Sequence, residues 1–214
     1  MSRKTVLFLF FLICFTIAAS EALAGVKLPD PKKGGGEGVF SLLEKRASGT
    51  RGDFPAGEIS RDELSVILWA ASGLNRGGKG WTVPMAGGKP PYVKIYAVTP
   101  DGAFLYDWKE HSLSEVTGEN VLSEITGDGF AQKAPCVLVF VSDTGDLGNM
   151  SSFNAGDTLA YIASGAMTQN VYLAADALGI SGRYMISMKT DGVRQALKLQ
   201  SGDNPLCVMP LGKR

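Results

Sequence analysis

From Ala155 to Leu178 the chain runs without a proline, and Ala160, Ala163, Gly165, Ala166, Ala174, Ala175 and Ala177 crowd the stretch with small residues. This predicts one long central helix, about 36 Å at the standard rise per residue. Small side chains on several faces let other backbones approach it closely. Gly179 stands where such a helix stops.

The segments around it supply strands and shorter helices. Cys136-Val137-Leu138-Val139-Phe140-Val141 is apolar without alternation, the pattern of a strand covered on both faces. Val93 to Val98 alternates toward a strand, and Pro100-Asp101-Gly102 turns the chain into Ala103-Phe104-Leu105-Tyr106, a hairpin. Further strands are expected at Arg183 to Ser187 and Leu206 to Leu211. Ser60 followed by Glu63 forms a capping box, after which Leu64, Ile67, Leu68 and Ala71 repeat at helical spacing until Gly73. Val39 to Arg46 reads as a short apolar helix ending in two bases. A polar helix is expected near Gly118 to Ile125 and another at about Asp191 to Leu199, with a Gly-, Lys- and Pro-rich loop from Gly77 to Pro91. The sum is one α+β domain without internal repeats.

The ends read differently. Arg3 and Lys4 precede an apolar run from Val6 to Ala19, too short to span a bilayer comfortably, and Ala22-Leu23-Ala24 offers a cleavage site. Residues 1–24 are therefore expected to be a secretory signal, residues 25–38 a flexible leader rich in Gly, Lys and Pro, and residues 39–214 the domain. Arg3-Lys4 is not a twin arginine, so the general export route is expected. No second segment is long enough to span a membrane, which predicts a soluble product, secreted or periplasmic.

With 21 basic and 21 acidic residues there is no positive field to attract a nucleic acid. Three cysteines and one histidine make neither a disulfide scaffold nor an evident metal site. Cys136 and Cys207 read as buried, unreactive thiols, with a disulfide between neighbouring strands as the alternative that export would permit. His111, in a polar run just after the hairpin, reads as a solvated turn residue. There is no nucleophile elbow, P-loop or dinucleotide fingerprint, so an enzyme built on this chain would carry its reactive group in a cofactor. Arg46, Ser48, Thr50 and Arg51, with Gly49 between them, place two guanidiniums and two hydroxyls within six positions, suited to a phosphate dianion. The other reading of the same residues is a basic helix end that complements the helix dipole.

Glu44 to Arg51 is similar to the Arg-x-Ser-x-Arg start of the nitroreductase family of flavin oxidoreductases. Four further stretches resemble that family in order: Glu63 to Arg76, Thr82-Val83-Pro84-Met85-Ala86-Gly87-Gly88, Tyr106 to Leu113, and Gly165 to Ala175 with Leu178-Gly179-Ile180. Near the SagB-type dehydrogenases the likeness is strongest. The resemblance implies a two-layer α+β fold around a mixed sheet, an intertwined homodimer, and FMN between the subunits. Arg46, Ser48 and Arg51 would hold the phosphate and ribityl chain, with Lys213 and Arg214 as further phosphate partners. Pro84, Met85 and Ala86 would lie beside the ring, and no side chain would act as a covalent catalyst.

Three departures stand out. Ser48 to Arg51 is one residue longer than the usual spacing. Met85 and Gly88 replace polar ring contacts worth about 1 kcal/mol each. The glycine of the flavin-edge segment is missing around Tyr184-Met185-Ile186-Ser187. The expected activity is electron transfer from NAD(P)H to a small oxidised acceptor. A flavin- or ligand-binding module without turnover, and a SagB-like azoline dehydrogenase, remain as alternatives.

Overall fold

The computed structural model describes residues 25–55, 57–143 and 156–213. The run from Cys136 lies at the centre of the sheet, as β7 (Cys136–Asp143), with every residue but the last buried. It pairs antiparallel with β4 (Val93–Thr99) on one side and β9 (Asp203–Lys213) on the other. Outward from β4 lie β5 (Gly102–Asp107), β6 (Ser112–Thr117) and β1 (Val26–Lys27), and β9 is flanked by β8 (Ile180–Gly182). Among the described residues the seven strands of this sheet are joined by antiparallel pairs throughout, and β2 (Leu74–Asn75) and β3 (Gly80–Trp81) form a separate antiparallel pair.

The absence of alternation in β7 follows from what covers it. Leu138 and Phe140, with Ile95, Ala97, Cys207 and Met209, face a core shared with the helices α2 (Arg61–Ser72) and α4 (Gly156–Ala177). Val137, Val139 and Val141, with Tyr96, Val98 and Val208, face a second core. That second core is closed by Phe54, Met185 and the short helices α3 (Leu122–Ile125) and α5 (Thr190–Ala196). Both faces of the sheet are therefore dry, and apolar residues are favoured at every position of the strand.

Helix α2 begins where the capping box places it. Ser60 Oγ accepts the Glu63 N–H at 3.3 Å, and Glu63 Oε2 accepts the Ser60 N–H at 2.8 Å, a cap worth about 1 kcal/mol. Gly73 closes the helix. Leu64, Ile67, Leu68 and Ala71 form its buried stripe against α4 and the sheet. The long helix α4 has 22 residues and stops at Gly179, whose φ of +69° suits glycine best.

Several expectations are corrected. The leader is not flexible at its start: β1 pairs Val26 with Leu113 and Lys27 with Ser112, and Leu28 is buried. Pro29 then takes a hydrogen bond from Ser65 Oγ at 2.6 Å, while Gly34 to Gly36 are exposed. The polar helix expected at Gly118 to Ile125 shortens to α3, because residues 118–121 form the turn that leads out of β6. The strand expected at Arg183 to Ser187 lies earlier, as β8, with only Met185 bridging to Val208.

The turn position of His111 is right, at φ +49°, but it is half-buried rather than solvated. Its Nε2 lies 2.8 Å from Ser65 Oγ and its Nδ1 2.8 Å from Tyr106 Oη. Burial lowers its pKa below the usual histidine value, with the Lys27 charge acting in the same direction and a backbone bond at Pro29 opposing.

Cys136 and Cys207 are free, and they stand opposite Leu211 and Phe140 in the β7–β9 ladder rather than opposite each other. Burial pushes both thiols up to about 12, as unreactive thiols require. Residues 1–24, where a signal is expected, and Arg214 lie outside the described residues. No helix among the described residues is long and apolar enough to cross a membrane.

Candidate functional site

The chain leaves α1 (Val39–Lys45) at Arg46 and runs past the end of β8 to Phe54. Gly49 is fastened on both sides of its backbone. Its N–H donates to Gly182 O at 2.8 Å, and its carbonyl accepts from Arg183 Nη1 at 2.8 Å. A side chain cannot be accommodated at Gly49, since a Cβ would stand 2.6 Å from Phe54 Cζ. Gly212 in β9 is needed for the same reason on the other side of that residue, where a Cβ would come within 2.8 Å of Phe54 Cα. Phe54 is thus wedged between two glycines and leans on Phe130, their ring centres 5.6 Å apart.

Around this anchor the basic residues converge. The Arg51 and Arg183 guanidinium carbons each lie 6.0 Å from the centre of the Phe130 ring, and that of Arg46 lies 5.2 Å from Tyr172. Ser48 Oγ is 2.9 Å from Tyr172 Oη, which also accepts the Tyr184 N–H at 2.7 Å. Thr50 is exposed, and its N–H donates to the carboxylate of Asp53. Three guanidiniums against the one carboxylate of this segment make a cradle of net positive charge with bidentate donors, suited to a phosphate. The structure therefore brings Arg46, Ser48, Gly49 and Arg51 together. It adds Arg183, Tyr172 and Phe130, which the sequence reading missed; nothing local in the sequence marks them, because each is brought to the segment by tertiary packing.

Lys213 lies at the same end of the sheet, opposite Ile180 in the β8–β9 pair. Its ammonium is 3.2 Å from Glu63 Oε1, so it is already engaged by the carboxylate that caps α2. Burial pushes that carboxyl up, but the hydrogen bonds from Ser60 and the Lys213 charge outweigh it and hold Glu63 below the usual range.

The loop from Thr82 to Gly88 is anchored on α2 and α4. Thr82 donates from its N–H to Gly73 O at 3.0 Å and from Oγ1 to Trp69 O at 3.1 Å. Asn170 Nδ2 donates to both Thr82 O and Ala70 O. Pro84 is exposed, Met85 packs its side chain on the core, and the Ala86 N–H meets Tyr92 Oη at 3.3 Å. Gly88 has φ +63°, a left-handed backbone that glycine adopts more readily than any other residue.

The two groups of residues are held from opposite sides of α4. The loop is held by Asn170 and the cradle by Tyr172, and residues two apart on a helix point about 200° from each other at 3.6 residues per turn.

A broad antiparallel sheet covered on both faces, with a long small-residue helix on one and three guanidiniums gathered at its end, is an α+β architecture with a candidate anion site. Residues 43–213 match the model of the nitroreductase family, and the chain belongs to that family of oxidoreductases. A nitroreductase homologue of Methanocaldococcus jannaschii is 29% identical over 173 residues, covering 76% of this chain and 85% of the relative. The crystal structure of a nitroreductase homologue from Ralstonia eutropha JMP134 superposes with a TM-score of 0.80 at 27% identity, covering 92% of each chain. A chain of the E. coli microcin synthetase complex shares the fold, with a TM-score of 0.63 at 17% identity over 94% of this chain and 80% of that one.

Proposed function

We propose that the chain is an exported FMN-dependent oxidoreductase that passes electrons from a reduced nicotinamide or another donor to a small oxidised acceptor. The observation that carries this reading is the convergence of Arg46, Ser48, Arg51 and Arg183 on the clamped backbone of Gly49. The residues present fit FMN at both ends. Arg46, Ser48 and Arg51 would hold its phosphate, with Lys213 at the end of β9 and Arg214 after it adding positive charge. Pro84, Met85 and Ala86 would lie along its ring, with donation from backbone: among the described residues no partner takes the Met85 N–H. When bound, FMN supplies the electron-transfer chemistry, and the chain's residues bind and orient it.

A homodimer completes this reading. The cradle and the loop sit on opposite faces of α4, so one flavin would take its phosphate contacts from one protomer and its ring contacts from the other. The surface agrees with this arrangement. Helix α1 buries none of its residues, leaving Phe40 84% exposed, and Ile162 on α4 and Ile186 are 66% and 70% exposed. A second copy of the chain would cover large apolar side chains of this kind.

The test is an absorbance spectrum of protein loaded with FMN, followed by anaerobic titration with reduced nicotinamide. Bleaching of the flavin band, and its return on adding an oxidised acceptor, is the expected result. Binding without bleaching would leave a flavin-binding module or another electron donor. No binding would refute the reading.

A further inference from the structure

We propose that Tyr172 is the positioning residue of the anion cradle, its hydroxyl fixing the direction in which Ser48 donates its proton. This rests on the flavin reading above and extends it to a residue to which the family resemblance assigns no role.

A phenol carries a single proton. The Tyr184 N–H can only donate, so Tyr172 Oη accepts there, at 2.7 Å. The remaining partner of the hydroxyl among the described residues is Ser48 Oγ, at 2.9 Å. Either atom of that pair could donate, and burial decides between them. Tyr172 is only 8% exposed, and if Ser48 were the donor, the phenolic O–H would be left buried without an acceptor. Ser48 is exposed and can give its proton outward. The arrangement that satisfies every group therefore has Tyr172 donating to Ser48. With that lone pair filled, the Ser48 proton turns away from the core, into the space beside Arg46.

The same side chain organises more than Ser48. Arg46 lies over the Tyr172 ring, and the Tyr184 N–H bond ties the hydroxyl to the segment that begins with Arg183, the residue holding the Gly49 carbonyl. The ring belongs to the core, so this reference point is rigid. Tyr172→Phe would keep the ring, its packing and its face toward Arg46, and remove the orienting proton together with the acceptor of the Tyr184 N–H.

FMN and riboflavin, which differ by the phosphate, are the probes. Both are titrated by fluorescence quenching into the parent protein, Y172F, S48A and the double variant. Y172F is expected to bind FMN about five- to tenfold more weakly, with riboflavin affinity unchanged. S48A should behave alike, and the double variant should bind no more weakly than S48A alone, because both changes remove the same aimed proton. General damage to the fold would weaken both flavins together, so an equal loss for FMN and riboflavin overturns the proposal. So does an unchanged FMN affinity in Y172F, or additive losses in the double variant. If Y172F does not fold, S48A at its exposed position decides: the same affinity for FMN as the parent overturns the proposal, and a loss confined to FMN supports it. A parent that binds neither flavin, or both alike, overturns the cradle's assignment to the flavin phosphate and this proposal with it. A parent that prefers FMN, with Y172F keeping the full preference, overturns this proposal alone.

Discussion

Replacing Gly49 with alanine adds one methyl group at the tightest point of the cradle. The new Cβ would stand 2.6 Å from Phe54 Cζ and 3.2 Å from Ser181 Cβ, whereas carbon atoms in favourable contact sit about 3.5–4.0 Å apart. The Phe54 ring would have to retreat by about 1 Å, judged against that contact distance. It has no room to do so, being buried, against Phe130 on one side and hard against the backbone near Gly212 on another. Overpacking of this kind costs about 1–3 kcal/mol. In a chain of this length each kcal/mol moves the melting midpoint by about 2–4 °C, so Gly49→Ala should lower Tm by about 2–12 °C. If the backbone yields instead of the ring, the bonds to Gly182 and Arg183 lengthen and Ser48 moves with them, so FMN affinity should fall as well. Thermal melts followed by far-UV circular dichroism, on Gly49→Ala, Phe54→Leu and the double variant, test the cause. Leucine lacks the clashing Cζ, so the double variant should be more stable than additivity predicts by about 1 kcal/mol. A Gly49→Ala protein that melts with the parent, or strictly additive losses, would refute the wedge.

The other predictions concern different parts of the molecule. Arg46→Ala and Arg51→Ala should each weaken FMN binding by about 1.5–3 kcal/mol, while the flavin-free melt barely moves; titration calorimetry showing parent affinity in both would place the phosphate elsewhere. Ile162→Asp puts a charge on the exposed face of α4 and should turn the proposed dimer into a monomer by light scattering, and a parent that is monomeric at micromolar concentration with FMN present would contradict that proposal. His111 is held neutral by burial, its folded pKa below the unfolded value, so the folded state takes up its proton less readily. Its contribution is full above the unfolded value near 6.5 and is lost as pH falls through the lowered folded value. His111→Asn, which tolerates the φ of +49°, should flatten the decline of Tm between about pH 7 and pH 5, and an unchanged slope would show that another group titrates there.

What was legible in the sequence was local. The Ser60–Glu63 box, the stop at Gly73, the hairpin turn before Gly102 and the run at Cys136 each carry their cause within a few residues, and the structure forms them where they were expected. The proline-free stretch ending at Gly179 is legible for the same reason. Elements stabilised from a distance were not. Val26 to Leu28 looks like leader by composition, and only the edge of β6 makes a strand of it and buries Leu28. Ser112 to Thr117 is mostly polar, and its strand character comes from pairing with β5. The candidate site divides in the same way. Arg46, Ser48 and Arg51 are close in sequence and could be named, whereas Arg183 and Tyr172 come to them across more than a hundred residues.

The central claim, that the cradle around Gly49 holds FMN, is tested most directly by thermal melts of flavin-free protein against FMN concentration. A ligand that binds only the folded state stabilises it by RT ln(1 + [L]/Kd), so Tm should climb steadily once FMN exceeds its Kd, and climb less in Arg46→Ala. A Tm that stays fixed from zero to millimolar FMN would contradict the claim and leave a nitroreductase fold without its flavin.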